Sequence, residues 1–88
     1  MILEPGKLYR TQTKYIYFIN EQFELHLTLP KDELILFQKF SLIDGRGRYW
    51  FLHKSGIIFF SLFKEEHPHP PQLKYLLQLA RPPDNIVT

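Results

Sequence analysis

Two histidines, His67 and His69, lie next to Glu65 and Glu66 and form the first group of residues in the sequence that could do chemistry. Imidazole nitrogens and carboxylate oxygens bind zinc and similar divalent ions, and an extended His-x-His pair turns both rings to one side. A structural zinc site has four ligands, however, and the sequence offers no second cluster. The surrounding prolines indicate a solvated, extended connector instead. We therefore predict no metal site and no cofactor, with metal capture at the two histidines as the alternative.

The segment 44–50 combines two arginines with two adjacent aromatic rings, which is typical of surfaces that bind nucleic acid. Guanidinium groups bind phosphates, and aromatic rings stack on the bases of a single strand. The chain has 11 lysines and arginines against 9 acids, so its net charge of +2 gives little long-range attraction for a polyanion. In the alternative interpretation the arginines only keep a loop soluble and one of the rings belongs to the core. The residues of this candidate nucleic-acid site are Lys39, Arg46, Arg48, Tyr49, Trp50 and Lys54.

Large apolar residues at successive positions in Tyr15–Ile19 and Ile57–Phe60 point to a third kind of surface. Successive side chains of a strand point to opposite faces, and only one face can look into a small barrel. The other face then has to be covered by another part of the chain or by another protein. Within the chain, the cover could come from the excursion at 15–29 or from leucines near the C-terminal end. The residues that we predict to form a protein interface are Tyr15, Tyr17, Phe59 and Phe60.

The sequence contains no arrangement that is typical of an enzyme. A nucleophile with a matching base, paired carboxylates, a phosphate-binding glycine loop and a zinc-binding helix motif are all missing. The glycines of segment 45–47 lack the strand-to-helix context of a dinucleotide-binding loop. His26 and His53 lie in strand patterns, where an imidazole with a structural role is commoner than a catalytic base. We therefore predict that the protein is not an enzyme and takes no small-molecule substrate.

The elements that position these residues should form one small domain. The sequence has 88 residues, of which 44% are hydrophobic and 23% charged, and this balance is typical of a folded soluble domain. It has no cysteine, so no disulfide can stabilise the fold, and its 8 Phe, 5 Tyr and 1 Trp have to supply much of the core. No stretch resembles a signal peptide or a membrane span. We expect a cytoplasmic protein with no membrane partner.

Alternation, turn residues and prolines predict six strands before residue 64. In Phe23–Leu29 apolar and polar residues alternate without a break, and Pro30 ends the pattern. Leu34–Ile43 is rich in apolar residues, and we expect one long strand, bent or bulged around 38–40. Glycines predict one reversal at 44–47 and another around 54–56. The predicted strands are Lys7–Thr11, Tyr15–Asn20, Phe23–Leu29, Leu34–Ile43, Arg48–Lys54 and Gly56–Phe63.

The C-terminal part of the sequence differs in character from the strands. Residues 64–71 are polar and rich in proline, and they should run extended over the surface. Leu73, Leu76, Leu77 and Ala80 then repeat at the spacing of one helix face, which predicts a short helix. Because a helix this short is marginal alone, its leucines should dock on the strands. They are the intramolecular alternative for covering the aromatic strands.

Short strands joined by glycine turns, without intervening helices, favour an antiparallel barrel or sandwich, and a curled sheet has fewer exposed edges. We predict a mainly β fold, a small antiparallel barrel of five to six strands with a short C-terminal helix. Residues 1–66 should form the barrel. Residues 67–88 should form the proline-rich connector, the short helix and a tail, packed on the same domain.

This layout resembles the SH3-like barrels. Pro5–Arg10 looks like their opening strand, and Tyr15–Leu29 looks like the long excursion that follows it. Leu34–Ile43, Tyr49–Lys54 and Ile57–Phe63 would then be the three-stranded meander. The resemblance lies in the layout of the part before residue 64 rather than in a motif. The acidic and aromatic residues with which signalling SH3 domains hold proline-rich peptides are missing, so that ligand is not implied.

These patterns favour a non-enzymatic interaction module over a catalyst. Such a module would self-associate or dock on a larger protein through surplus apolar and aromatic surface. The alternative is a small barrel that binds single-stranded nucleic acid through the segment around the two arginines.

Overall fold

The described part of the chain consists mainly of β-strands. The computed structural model describes residues 2–62 and 73–80. Its elements, in chain order, are β1 (Leu8–Thr11), β2 (Tyr15–Phe18), β3 (His26–Leu29), β4 (Leu34–Ile43), β5 (Arg46–His53), β6 (Gly56–Leu62), α1 (Leu73–Leu76) and β7 (Leu77–Leu79). The prediction of a mainly β fold with one short helix near the C-terminal end is confirmed.

The strands of the described residues form one antiparallel sheet in the order β3-β2-β6-β5-β4-β1-β7. The central strands β4, β5 and β6 follow one another along the chain and pair as a meander. β1 lies beside β4, and the β2–β3 hairpin lies beside β6, so the elements that precede the meander flank it on both sides. The sheet curls into a half-barrel. This agrees with the predicted small antiparallel barrel and adds a seventh strand, β7.

The turn between β4 and β5 sets the register of the meander. It consists of Asp44 and Gly45, whose φ angles are 51° and 73°. Two successive residues with positive φ are typical of the type I′ turn, whose twist matches that of the two strands it joins. Arg46 therefore lies in β5 opposite Ile43, although the sequence placed it inside a longer reversal.

The turn between β5 and β6 is equally short. His53 pairs with Gly56, so Lys54 and Ser55 alone make the turn. Gly56 has a φ of 124°, which a side chain would disfavour at this position. Both hairpins of the predicted meander are therefore confirmed.

Strand β4 carries the irregularity that the sequence predicts. Its pairing with β5 shifts between Phe37 and Lys39, so Gln38 is an extra residue on β4. A bulge of this kind bends the strand and increases its local twist. Because of the shift, Phe37 faces the core opposite Phe51, whereas Lys39 faces away from it opposite Trp50.

The C-terminal helix ends earlier than its apolar spacing indicates. α1 is a single turn, and the chain then pairs with β1 as strand β7. Gln12 accounts for this end, because its backbone N–H donates to the Leu76 carbonyl oxygen at 2.8 Å. Its side-chain amide donates to the carbonyl oxygens of Lys74 and Leu77, each at 3.0 Å. These bonds satisfy carbonyls that end a helix, so the prediction of a helix as far as Ala80 is wrong.

The inner side of the curled sheet holds the core. The Tyr49 and Phe60 rings stack at 4.9 Å between centroids, and Phe51 stacks on Phe60 at 5.6 Å. Leu73, Leu76 and Leu77 of the C-terminal segment are buried in the same core. The fully buried aromatic and leucine side chains include Tyr9, Tyr17, Tyr49, Phe51, Phe60, Leu29, Leu73 and Leu77.

Candidate interaction surface on the outer face of the sheet

The sheet has two faces, and the strands of the meander place large side chains on both. The inner face is the one that covers the core, and the outer face carries the alternate residues, which point the other way. On β5 the inner residues are Tyr49, Phe51 and His53, all buried. The outer residues of the same strand are Arg46, Arg48, Trp50 and Leu52.

The four aromatic residues predicted for a protein interface belong mainly to the interior. Tyr17 and Phe60 are fully buried in the inner core, where their rings meet edge to face at 5.5 Å. Tyr15 is half-buried at the border of this core and contacts both rings, at 6.1 and 5.8 Å. Phe59 is fully buried as well, but on the outer face. An exposed apolar surface therefore has to consist of other residues.

Phe59 is covered by the loop between β2 and β3. The Phe23 ring of this loop lies 5.5 Å from the Phe59 ring, and it lies 4.7 Å from the Phe18 ring. The loop is held by Asn20, whose Oδ1 accepts hydrogen bonds from two backbone N–H groups at 2.9 and 3.2 Å. The cover on the outer face thus comes from the excursion after β1. The C-terminal leucines, which the sequence offered as the other possible cover, fill the inner core instead.

The residues predicted for nucleic-acid binding are divided between the two faces. Tyr49 is fully buried on the inner face, stacked on another core ring. Lys54 lies in the β5–β6 turn, at the far end of β5 from the two arginines. The outer face of β4 and β5 brings together the others, Lys39, Arg46, Arg48 and Trp50.

The Trp50 ring is held by neighbours on both adjacent strands. Lys39 Nζ lies 5.3 Å from its centroid on the β4 side, and the Phe59 ring lies 4.6 Å away on the β6 side. The indole Nε1 donates a hydrogen bond to Ser41 Oγ at 3.0 Å. A nucleic-acid base that stacked on Trp50 would have to compete with these contacts.

A row of aliphatic side chains crosses the outer face in register. Leu8 is opposite Leu36, Leu36 is opposite Leu52, and Leu52 is opposite Ile57, so the four residues share one face on four adjacent strands. Leu8, Leu52 and Ile57 are 46%, 43% and 53% exposed, and Leu36 is half-buried. Adjacent strands lie about 4.8 Å apart, which makes the row about 14 Å long. We call these four residues the aliphatic row.

The sequence gives only part of the signal for this row. Within each strand, alternation of apolar and polar residues can indicate which side chains point away from the core of the domain. Their alignment depends on the pairing of β1 with β4, which joins residues far apart in the chain. Such long-range register is not visible in a single sequence, so the sequence does not predict the aliphatic row.

The strands that carry the aliphatic row have cations but no acids. β1, β4, β5 and β6 contain no aspartate and no glutamate. Their cationic residues are Arg10, Lys39, Arg46 and Arg48, and all four lie on the outer face. These four strands therefore contribute aliphatic and cationic side chains, and no carboxylates, to the outer face.

His53 has structural surroundings rather than those of a catalytic base. Its Nδ1 accepts the backbone N–H of Ser55 at 3.2 Å, and its Nε2 lies 3.4 Å from the Glu33 carboxylate. With Nδ1 as the acceptor, the ring proton is on Nε2 and points at Glu33. In the described part of the chain, no three His, Cys, Asp or Glu side chains come together as a metal site requires. His67 and His69 lie outside the described residues.

The fold and the surface define a small, all-antiparallel β domain of a generic small-barrel type. Comparison with known proteins gave no match, either to a family model, to a curated protein or to a solved structure. Within residues 2–62 and 73–80, no helix has the length and apolar character needed to cross a membrane. The function has to be inferred from the outer face itself.

Proposed function

We propose that this protein is a non-enzymatic interaction module that docks on a larger protein through the aliphatic row. Burial of apolar surface contributes roughly 25 cal/mol per Å², so neighbouring exposed leucines represent binding free energy that the monomer does not use. Single exposed apolar residues are common on any protein, whereas a contiguous patch is typical of a binding surface. The observation that carries the proposal is the cross-strand register of Leu8, Leu36, Leu52 and Ile57.

The charges beside the aliphatic row indicate the chemistry of the partner. Arg10 lies two positions from Leu8 on β1, and Lys39 lies one outer-face position from Leu36 and Leu52. A partner segment that combines large apolar residues with carboxylates complements both features. A second copy of the same surface would instead bring like charges together. We therefore favour docking on a different, acidic protein segment over self-association.

The order of elements supports an SH3-like layout as part of this proposal. An opening strand β1, the β2–β3 excursion and the β4–β6 meander occur in the order that the sequence suggested. A short helix and a last strand that returns to β1 complete the half-barrel. A fold of this kind is compatible with many ligands, so the proposed partner rests on the outer face alone.

Selection from a random peptide library on the purified full chain tests this function. We expect enriched peptides to combine leucine-like residues with aspartate or glutamate. They should bind the unmodified chain and bind a Leu52→Ser/Ile57→Ser double variant much more weakly. Leu25→Ser is the matched control, because Leu25 is 58% exposed in the β2–β3 loop, away from the aliphatic row. Peptides that bind the double variant as well as the unmodified chain would refute the proposal.

Sedimentation of the same proteins tests the choice of partner. We expect a monomer at all concentrations, because the cations on the outer face oppose pairing of two such faces. A dimer that forms with increasing concentration and is lost in the Leu52→Ser/Ile57→Ser variant would show that a second copy occupies the row. That result would overturn the assignment of an acidic partner.

Single-stranded nucleic acid is the second candidate ligand of the outer face, since Lys39, Arg46 and Arg48 lie on the same face of β4 and β5. The two aromatic rings are poorly placed to stack on bases, because Tyr49 is buried and the Trp50 ring already contacts Phe59 and Lys39. A titration of labelled oligonucleotides at low salt distinguishes the two candidates. Nucleic-acid binding should weaken steeply with added salt and on replacement of Arg46 and Arg48, but not in the Leu52→Ser/Ile57→Ser variant.

A further inference from the structure

Arg48 is a buried cation without a carboxylate partner in the described part of the chain. Its side chain is on the outer face, yet the residue is only 9% exposed. The strands on either side, β4 and β6, contain no acid. Among the described residues, the one contact between a carboxylate and a basic side chain joins Glu33 to His53 on the inner side, away from Arg48. A charge that is removed from water in this way is costly unless something compensates it.

Two aromatic rings compensate part of this cost. The guanidinium carbon of Arg48 lies 5.0 Å from the centroid of Phe23 and 5.1 Å from that of Phe59. A cation over a ring face is attracted by the ring's quadrupole. The rings accept no conventional hydrogen bond, however, and a guanidinium carries five N–H donors. The two phenylalanines therefore fix the guanidinium in place without accepting hydrogen bonds from its N–H groups.

Two polar atoms at this point of the outer face lack hydrogen-bond partners among residues 2–62 and 73–80. They are Arg48 Nε and Ser61 Oγ, and both are buried. The two residues are directly opposite each other on β5 and β6, so their side chains are neighbours on the same face. A guanidinium donor beside a hydroxyl donor is an arrangement that suits the two oxygens of a carboxylate.

We propose that Arg48 and Ser61 form a subsite for a carboxylate of the docked partner. This inference rests on the proposed function for the source of the carboxylate. Arg48 is four residues from Leu52 on β5, which is about 13 Å at about 3.3 Å per residue. A partner segment that runs extended along β5 therefore places an aspartate or glutamate about four residues from the apolar residue that contacts the aliphatic row.

A titration of the full chain with sodium acetate, at constant ionic strength, tests the subsite without a docking partner. The nuclear magnetic resonance signals of the Arg48 side-chain N–H and the Ser61 backbone N–H should shift and saturate with acetate, and chloride should have no such effect. Ser61→Ala should weaken acetate binding roughly fivefold, the effect of one lost hydrogen bond. Arg48→Lys, which keeps the charge but loses the planar fork, should weaken it roughly tenfold.

Lys54→Gln is the matched control, because it removes one cation at the exposed β5–β6 turn and should leave acetate binding unchanged. Shifts that do not saturate, or that Ser61→Ala leaves unaltered, would overturn the subsite. Saturation with phosphate but not with acetate would overturn its assignment to carboxylates. Tighter acetate binding after replacement of Glu65 and Glu66 by Gln would mean that the chain's own carboxylates compete for Arg48. That result would contradict the proposal that the carboxylate comes from a partner.

The two proposals can fail separately. The acetate titration involves no contact with the aliphatic row, so its failure would leave docking through the row intact. If peptide selection failed while acetate still bound, the subsite would stand and only the source of its carboxylate would change.

Discussion

The Phe23 ring stands edge-on to the Phe59 ring, with 5.5 Å between centroids and an interplanar angle of 79°. This contact divides the outer face into a covered and an uncovered part. Phe59 is fully buried under the β2–β3 loop, whereas Ile57, the next outer-face residue of the same strand, is 53% exposed. The loop therefore stops one position short of the aliphatic row. The exposed aliphatic row therefore lies directly beside the cluster formed by the rings of Phe18, Phe23 and Phe59.

Phe23→Ala should destabilise the fold through this cluster. The substitution removes the ring that covers Phe59 and contacts Arg48. A fully buried phenylalanine costs about 3–5 kcal/mol when replaced by alanine, and for the half-buried Phe23 we expect about 2 kcal/mol. Urea unfolding of the two proteins measures the difference. Leu25→Ala, an exposed neighbour in the same loop, should change the free energy of unfolding by less than about 0.5 kcal/mol, and an equal loss in both variants would contradict this role of Phe23.

Gln12→Ala should loosen the C-terminal segment. The Gln12 side chain donates to carbonyl oxygens on both sides of the α1–β7 junction, and each bond contributes about 1 kcal/mol. We expect a loss of about 2 kcal/mol in global stability and faster amide hydrogen exchange in Leu77–Leu79. Gln78→Ala in β7 itself should leave the exchange rates nearly unchanged. Unaltered exchange in Gln12→Ala would show that β7 is held without this side chain.

Tyr17→Phe should stabilise the protein. The Tyr17 hydroxyl is buried and has no hydrogen-bond partner among the described residues. An unsatisfied buried hydroxyl costs about 1–3 kcal/mol, so we expect its removal to raise the free energy of unfolding by about 1 kcal/mol. Tyr9→Phe is the matched control with the opposite sign. The Tyr9 hydroxyl accepts the Glu4 N–H at 2.7 Å, and its loss should destabilise the fold by about 1 kcal/mol.

The buried phenol of Tyr17 should also make the free energy of unfolding depend on pH in the alkaline range. Burial, and to a smaller extent the charge of ionised Tyr15, raises the pKa of Tyr17 well above its ordinary value. The unfolded chain ionises this phenol near pH 10, while the folded chain keeps it protonated. Stability is therefore unaffected by Tyr17 below about pH 10 and falls as the pH rises further. In Tyr17→Phe the decline between about pH 10 and 11 should be shallower, as urea unfolding at a series of pH values would show. Identical slopes would contradict the burial of the phenol.

The meander could be predicted from the sequence because its signals are local. Leu34–Ile43 has the predicted bounds, and its bulge falls within the predicted segment. Asp44 and Gly45 tolerate positive φ, which favours the tight turn that they form. Both hairpins join neighbouring segments, so alternation and turn residues were sufficient to pair them.

The errors arise where distant parts of the chain meet. The leucines at 73–77 fit a helix face, and only pairing with β1 makes Leu77–Leu79 a strand. Phe23 looked like an ordinary strand residue, although its φ of 62° places it in a loop that folds over the outer face. Residue type alone is enough to single out Trp50 and the nearby cations as candidates. Lys39, Arg46, Arg48 and Trp50 do lie together on the outer face, whereas Lys54 lies in the β5–β6 turn. The aliphatic row and the Arg48–Ser61 pair required the register of the whole sheet.

Calorimetric titration of an acidic, leucine-containing peptide from the library selection tests docking through the aliphatic row most directly. The unmodified chain should bind it with a negative heat-capacity change, because apolar surface is buried. Leu52→Ser/Ile57→Ser should remain folded and bind roughly thirtyfold more weakly, which corresponds to about 2 kcal/mol of lost apolar burial. Equal affinity for the two proteins would contradict the proposed function.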